Sequence, residues 1–194
     1  MPPKVRVTQE AILKAGLDII REKGIAGLNA REAAKALGCS VQPVFSNFQS
    51  MENLRESLYR EAESLFNACM EKGMQLHQIP FLGMGMAYIA FAKEEGNIFR
   101  FLFMSDGFRG KSVLEMIRDE ENKPVLHMIA GMTGLDMEQT ERLFLSIWLT
   151  THGIAALMAT NSCDFSDELI AGLLTSSFSG MKNQIKTEGK RKDA

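Results

Sequence analysis

The sequence predicts an all-α fold, in which a three-helix amino-terminal unit is joined to a larger helical domain. Apolar residues recur at helical spacing along most of the 194-residue chain. Helix caps and glycine or proline stops divide it at intervals typical of helices. No segment has the alternating pattern and tight turn of a β-hairpin. With 45% hydrophobic and 24% charged residues, the composition is that of a globular protein with a buried core.

Cap and stop residues set the limits of the three amino-terminal helices. The first helix is predicted to follow Thr8, which can cap it, and to end at Gly24. The second opens with a capping box at Asn29 and stops at Gly38. The third is predicted to begin after Ser40, acting as its cap.

A long fourth helix is predicted from Ser50, and it connects the amino-terminal unit to the rest of the chain. Turn signals, including the stretch Ser105–Gly110, divide the remainder. Further helices are expected at about 81–95, 98–105, 111–131, 137–160 and 166–186. The polar tail from Lys186 is expected to fray.

Charge is distributed unevenly along the chain. Residues 1–60 carry nine Lys/Arg and six Asp/Glu, whereas the remainder carries thirteen and eighteen. The front is therefore net basic and the rear net acidic, although the whole chain has a net charge of −2. This division predicts different partners for the two parts.

The cysteines and the uncharged stretches bear on the compartment. Three scattered cysteines without a CxxC pair suit a reducing cytoplasm and give no sign of zinc. The start of the chain lacks the apolar run of a signal peptide. The uncharged stretches 73–92 and 143–163 contain several polar residues, so we interpret them as buried helices rather than membrane spans. We expect a cytoplasmic protein without a membrane partner.

The segment "AREAAKALGCSVQPVFSNF" indicates a helix-turn-helix motif, because small alanines permit close packing and Gly38 permits a tight turn. The third helix would face the DNA major groove, with Val44 and Phe48 turned inward. Gln42 is the expected direct reader, since a glutamine can pair with adenine in two places. The predicted DNA contacts are Arg31, Ser40, Val41, Gln42, Pro43, Phe45 and Asn47. From spacing alone, three packed helices without a DNA role remain an alternative.

The stretch "TQEAILKAGLDIIREKGIAGLNAREAAKALGCSVQPVFSNFQSMENL" resembles the TetR family of transcriptional regulators. The order of helix, Gly24, capped helix, Gly38-x-Ser40, aromatic-x-x-Phe48 and long helix carries the resemblance. It implies a homodimer that binds a near-palindromic double-stranded DNA operator through its amino-terminal helices. It also implies a small-molecule effector bound by a variable carboxy-terminal helical domain.

A second likeness extends this resemblance over most of the chain. "SIWLTTHGIAALMATN" is similar to a Trp-His-Gly pattern in one group of TetR-like carboxy-terminal domains, and "NIFRFLFM" is similar to the same group. The chain departs from the usual family pattern in having Phe45 for a tyrosine, Met51 for a frequent lysine, Asn29 for a frequent threonine, and Pro43 in the recognition helix. We therefore predict a helix-turn-helix DNA-binding domain at 1–50 and a helical effector-binding and dimerisation domain at 51–194.

Methionine and aromatic residues in the rear domain suit a pocket for a flexible apolar molecule. The predicted ligand-binding residues are Met84, Tyr88, Phe91, Phe99, Phe103, Met104, Met128, Trp148, Thr151 and His152. The alternative is plain core packing, which is common for such residues. For His152 that alternative is a histidine hydrogen-bonded within the core.

The last two long helices are expected to pair with their copies in a four-helix dimer interface. The predicted interface residues are Leu145, Leu149, Ala156, Leu157, Leu169, Leu173 and Phe178. Which face of these helices is interface and which is core stays open at this point.

Catalytic and metal-site signals are lacking, so neither an enzyme nor a cofactor is expected. No HExxH motif occurs, and His77 and His127 have no histidine or carboxylate at a metal-binding spacing. The polar clusters at Ser105–Asp106 and Ser162–Asp164 suit helix caps and loops. The sequence thus predicts a ligand-responsive repressor that a small apolar effector releases from DNA. The competing hypothesis is a helical small-molecule binding protein or enzyme whose DNA-binding unit is weak or silent.

Overall fold

The computed structural model describes residues 7–104 and 112–192, and it confirms the all-α prediction. Within those residues the chain forms α-helices and two short 3-10 helices, at Ile25–Gly27 and Glu120–Asn122, and no strand. The α-helices are α1 (Gln9–Lys23), α2 (Ala30–Ala36), α3 (Gln42–Phe48), α4 (Met51–Leu76), α5 (Pro80–Glu94), α6 (Gly96–Phe103), α7 (Val113–Ile117), α8 (Lys123–Thr133), α9 (Met137–Ala159) and α10 (Asp167–Lys192).

The helices form two compact units. The first unit contains residues 7–68 and 94–104, and the second contains residues 69–93 and 112–192. Helix α4 begins in the first unit and ends in the second. Helix α5 lies in the second unit except for its last residue, Glu94, and Glu95 alone separates it from α6, which belongs to the first. The chain therefore passes between the units within α4 and again at the end of α5.

Helix α1 begins and ends where its sequence predicts. The Thr8 hydroxyl accepts a hydrogen bond from the Ala11 N–H at 3.2 Å, and Gly24 ends the helix at φ +68°. Its apolar face is buried, with Ile12 and Ile20 fully inaccessible to solvent. At Gly16 the helix approaches α4 closely, because a Cβ there would lie 2.8 Å from a Leu58 methyl carbon. The amphipathic pattern of α1 thus becomes the core of the first unit.

The turn after α2 is held by the backbone itself. Asn29 Oδ1 accepts hydrogen bonds from two N–H groups in the first turn of α2, which confirms the predicted cap. The predicted capping box is only half formed, because the Glu32 carboxylate pairs with Lys23. At the other end, Cys39 N–H donates to Ala34 O at 3.0 Å and Gly38 N–H donates to Lys35 O at 3.2 Å. This pair of bonds is a Schellman motif, which requires the left-handed conformation that Gly38 adopts at φ +62°.

The start of α3 differs from the prediction. The helix begins at Gln42, and Val41 precedes it in the capping position without any side-chain hydrogen bond, so the predicted Ser40 cap is wrong. Pro43 lies in the first turn, where it removes no intrahelical hydrogen bond and presets the backbone. Val44 and Phe48 are buried, as predicted. Proline therefore helps α3 begin where a capping hydroxyl was expected.

Helix α6 is fastened to the carboxy-terminal end of α1 within the first unit. Glu95 accepts two hydrogen bonds from Arg21 Nε, at 2.7 and 3.0 Å. Asn97 Nδ2 donates to the Arg21 backbone carbonyl at 2.8 Å. A Cβ on Gly24 would lie 3.3 Å from Asn97 Oδ1, so this glycine also leaves room for the asparagine. The contact joins segments that are more than seventy residues apart in sequence.

Two predicted helix limits in the second unit were wrong. The helix expected over 111–131 is divided, because Asp119 has extended backbone and α8 begins with Pro124 in its first turn. Helix α10 continues to Lys192, beyond the predicted end at 186. Arg142 on α9 donates a hydrogen bond to the Glu188 carboxylate at 3.0 Å, and this bond holds the last turns of α10 against α9. The stretch Ser105–Gly110, predicted as a loop, lies outside the described residues.

The core of the second unit is an apolar cluster to which α5, α7, α8, α9 and α10 contribute. Its buried members are Phe81, Ile117, Leu126, Ile129, Leu135, Leu143, Phe144, Ile147 and Ile185. Among the described helices, α9 is the one long and apolar enough to span a membrane by length and composition. In its most apolar window 44% of the residues are buried in the protein. The core helices of globular proteins meet the same criterion of length and apolar composition, so a buried helix fits it as well as a membrane span does.

Candidate functional sites

The outward face of α3 combines one long polar side chain with exposed apolar ones. Val41 and Phe45 are 39% and 41% exposed, which is high for such side chains. Gln42 and Ser46 are also exposed, and Pro43 is half-buried. Since Val44 and Phe48 anchor the opposite side in the core, this orientation is fixed by packing. The structure thus presents most of the predicted contact residues on one short helix.

Among the predicted DNA contacts, Asn47 has a side chain that forms hydrogen bonds within the protein. Its amide nitrogen donates to the Pro43 carbonyl at 2.7 Å and lies 3.5 Å from the Val7 carbonyl. Gln9 in turn donates to the Asn47 backbone carbonyl at 3.0 Å. These bonds connect α3 to the start of α1. Asn47 and Gln9 therefore stabilise the position of α3, a role that the sequence pattern did not reveal.

Two positive side chains lie on the surface of α2, the helix that precedes α3. Arg31 and Lys35 lie one helical turn apart, and both are exposed. In the described part of the chain the salt bridge of Glu32 is with Lys23, and Lys35 adds a weaker charge attraction to the same carboxylate. The Lys23 ammonium lowers the pKa of the Glu32 carboxyl through a hydrogen bond and charge attraction. The two cations are thus available to an anionic partner, for which Arg31 was the predicted contact. Ser40, also predicted, is exposed.

A cluster of three ring side chains occupies the second unit, where α5 meets α9. The Tyr88 hydroxyl lies 2.9 Å from His152 Nδ1. Trp148, one helical turn before His152, stacks on the imidazole with ring centres 5.2 Å apart and planes inclined by 19°. Tyr88 is buried, whereas His152 and Trp148 are half-buried. Three predicted ligand residues are therefore in contact with one another; we call them the Tyr88 cluster.

Burial fixes the protonation of the Tyr88 cluster. Burial raises the pKa of the Tyr88 phenol, which a hydrogen bond from Trp148 partly opposes. Burial lowers the pKa of His152, so the imidazole is neutral at pH 7. An indole N–H can only donate, so the Tyr88 oxygen accepts from Trp148, and the direction of its hydrogen bond with His152 Nδ1 is set by the histidine tautomer. The cluster is therefore a group of neutral, hydrogen-bonded rings.

Thr151, another predicted ligand residue, is a buried residue with a satisfied hydroxyl. Its Oγ1 donates to the Ile147 carbonyl at 2.8 Å, within α9. The backbone of α5 comes close to it at Gly85, where a Cβ would lie 3.9 Å from Thr151 Oγ1 and 3.0 Å from a Leu174 methyl carbon. Gly85 thus permits α5, α9 and α10 to approach one another.

The other predicted ligand residues are distributed over both units. Met84 and Met128 pack against the apolar core of the second unit, and Phe91 is buried there. Phe99, Phe103 and Met104 belong to the first unit. In that unit the Phe103 ring contacts Phe99 and Phe66, with ring centres 4.9 and 5.0 Å apart. A core role accounts for these contacts without a ligand.

The predicted dimer residues divide into two groups. Leu145 and Phe178 are half-buried and pack against the core of the second unit. The exposed group comprises Leu149, Leu157, Leu169 and Leu173, with Ala156 half-buried beside them. Gly153 and Gly172 lie on the exposed sides of the same helices, with open space where a Cβ would stand. The exposed group defines the outer face of α9 and α10.

Other polar groups are explained by local structure. In residues 7–104 and 112–192, no group of three or more His, Cys, Asp or Glu side chains could hold a metal ion. Ser162 hydrogen-bonds Thr160 at 2.8 Å, and Asp164 pairs with Lys93 at 3.2 Å. The predicted cluster at Ser105–Asp106 lies outside the described residues.

Comparisons with known proteins bear on the fold. No protein-family model and no curated protein matches the chain. A solved structure of a protein with unknown function from Rhodococcus sp. RHA1 is similar, with a TM-score of 0.66 and 16% sequence identity. The match covers 94% of this chain and 97% of that chain. At this identity the likeness indicates a shared fold.

Proposed function

We propose that the protein is a ligand-responsive, DNA-binding transcriptional regulator of the TetR type that acts as a repressor. The observation that carries the proposal is the outward face of α3, held by a glycine turn after α2 and by the buried Val44 and Phe48. Such a short helix after a tight turn suits insertion into the major groove. The neighbouring cations on α2 suit contact with phosphates.

Homodimerisation through the outer face of α9 and α10 is part of the proposal. Exposed leucines and open glycines on two adjacent long helices suit close packing against the same helices of a second copy. A two-fold dimer would place two α3 helices on successive half-sites, about 34–36 Å apart. The proposal therefore includes a near-palindromic operator.

The Tyr88 cluster is our candidate for effector recognition. Its partly exposed Trp148 and His152 rings offer flat apolar area, while the hydrogen-bonded polar atoms fix their orientation. Tyr88 lies on α5, which continues through Glu95 into α6 and thereby to the end of α1. An effector that moves α5, or the shared helix α4, would change the separation of the two α3 helices. Effector and operator would then weaken each other's binding reciprocally.

The test of the proposal is a duplex-binding assay with the full-length protein over a range of salt concentrations. Phosphate contacts release counterions, so affinity should fall steeply as salt rises. Gln42→Ala should lower affinity mainly for the cognate operator, whereas Gln75→Ala, an exposed glutamine on α4, should have no effect. An equal loss of affinity on all DNA sequences would show that Gln42 contacts the DNA phosphate backbone and not a base. Failure of a correctly folded dimer to bind any duplex would contradict the proposal.

A second candidate function rests on the Tyr88 cluster and on Phe45. Phe45 lacks the hydroxyl with which a tyrosine would bond phosphate, and the second unit has its own aromatic cluster. A helical small-molecule binding protein or enzyme with a silent front unit would explain both. Two results together would favour this alternative: no DNA binding at any salt concentration, and quenching of Trp148 fluorescence by a small apolar molecule.

A further inference from the structure

The base preference of α3 follows from the side chains that its outward face lacks. Residues 36–54 contain no lysine or arginine, so no guanidinium or ammonium group lies on α3 or on either turn beside it. Arginine or lysine on guanine O6 and N7 is the commonest specific contact in the major groove. The exposed cations Arg31 and Lys35 lie on the preceding helix, α2. A surface of this kind has no strong reader of guanine.

The side chains that are present match an A·T pair. Gln42 is exposed at the first position of α3, and a glutamine amide can bond adenine N6 and N7 together. Val41 and Phe45 are the exposed apolar groups next to it. In the major groove the thymine C5-methyl is the apolar group of a standard base pair, and apolar side chains recognise it.

We propose that α3 reads A·T pairs in each operator half-site, with Gln42 on an adenine and Val41 and Phe45 against thymine methyl groups. The inference rests on the proposed DNA-binding function and gives it a base preference. Exposed Ser46 hydrogen-bonds the Pro43 carbonyl, and a serine can bond either kind of pair, so it adds no preference of its own. Arg31 and Lys35 would contribute affinity through phosphates without sequence information.

Selection from a random library tests the preference. The full-length protein would be used to enrich duplexes with a randomised core, and the selected half-sites would be sequenced. We expect two symmetric half-sites whose contacted positions are A·T. Enrichment of guanine at those positions would overturn the inference and leave DNA binding intact. A folded protein that enriches no sequence would overturn the proposed function as well, and would favour a protein partner for Val41 and Phe45.

Base analogues then separate the two kinds of contact on the selected duplex. Replacing a contacted thymine by deoxyuridine removes only the methyl group, and should weaken binding about fourfold per methyl. Replacing a T·A pair by 5-methylcytosine·guanine keeps the methyl but removes the adenine. This change should be tolerated opposite Val41 and Phe45 and should cost about fivefold to 150-fold opposite Gln42. Affinity unchanged by deoxyuridine at every contacted position would contradict the methyl contacts.

Protein variants provide the matching control. Gln42→Ala should abolish the discrimination between A·T and 5-methylcytosine·guanine at one position, while Gln75→Ala should preserve it. Phe45→Ala should remove the deoxyuridine effect at its own position only. Because Gln42 and Phe45 are exposed, both variants should keep wild-type helicity by circular dichroism. Retained discrimination in a folded Gln42→Ala protein would contradict the assignment of Gln42.

Discussion

The glycine in the turn before α3 and the glycine at the contact of α4 with α5 serve different purposes. In the first unit Gly38 adopts φ +62°, and no heavy atom lies within 4 Å of the place a Cβ would take. Glycine is therefore required at this position for its backbone conformation and not for lack of space. In the second unit a Cβ on Gly73 would lie 2.5 Å from the Ala87 Cβ and 2.7 Å from the Gly83 carbonyl oxygen, so α4 and α5 are in backbone contact. Local chain geometry thus orients α3, whereas the close approach of two helix backbones joins α4 to α5.

Gly73→Ala should have the largest effect on stability. The added methyl meets backbone atoms of α5 that cannot move separately from their helix, and overpacking of this kind costs about 1–3 kcal/mol. The free energy of unfolding, measured in urea, checks the value. Gly131→Ala on α8 is the control, since open space surrounds its Cβ and alanine favours a helix by about 0.5–1 kcal/mol. Equal stability of the two variants would contradict the close contact.

Gly38→Ala should cost slightly less, about 1–2 kcal/mol, because alanine must adopt the left-handed conformation. Gly38→Asn should lose less stability than alanine, since asparagine tolerates that conformation better. The same urea measurement ranks the three proteins. An alanine variant as stable as wild type would show that the turn does not require positive φ.

The parts of the fold that can be predicted from the sequence are those determined by residues close together in the chain. Thr8, Asn29 and Gly38 act within one turn of their own positions, and their roles as caps and stop were predicted correctly, apart from the Glu32 half of the capping box. Other features depend on contacts that spacing does not record. The bond between Tyr88 and His152 joins residues 64 positions apart, and the sequence nominated both side chains without pairing them. Pro124 was a visible signal for the division of 111–131, but apolar periodicity continued across it.

Tyr88→Phe removes the hydroxyl that hydrogen-bonds both His152 and Trp148, and the usual net value of a hydrogen bond is about 0.5–1.5 kcal/mol. The change leaves His152 Nδ1 without its Tyr88 partner and should also shift the emission of Trp148, which is the sole tryptophan. Tyr59→Phe in the first unit is the matched control. Its hydroxyl is 3.5 Å from the Leu102 carbonyl, a longer and weaker contact, so a smaller loss is expected. A larger loss for Tyr59→Phe would reverse this ranking of the two tyrosines.

The smallest expected effect is a pH dependence from His152. Burial lowers the pKa of His152 in the folded protein, so between that pKa and the unfolded value of about 6.5 the unfolded chain binds more protons. The stability is fully present above about pH 6.5 and falls as the pH drops through this window. Urea midpoints at pH 7.5 and 6.0 should differ less in His152→Gln than in wild type. If the stability of His152→Gln and that of wild type depended on pH to the same extent, His152 would not be the source of the effect.

Footprinting of the purified protein on its own upstream DNA, at near-physiological salt and with random competitor DNA, tests the central claim most directly. We expect protection of a short near-palindrome with two A·T-containing half-sites one helical turn apart. Gln42→Ala should lose this protection, whereas Gln75→Ala should retain it. Weak, sequence-blind binding by a folded dimer would contradict specific recognition by α3, and would favour a small-molecule binding protein whose front unit is silent.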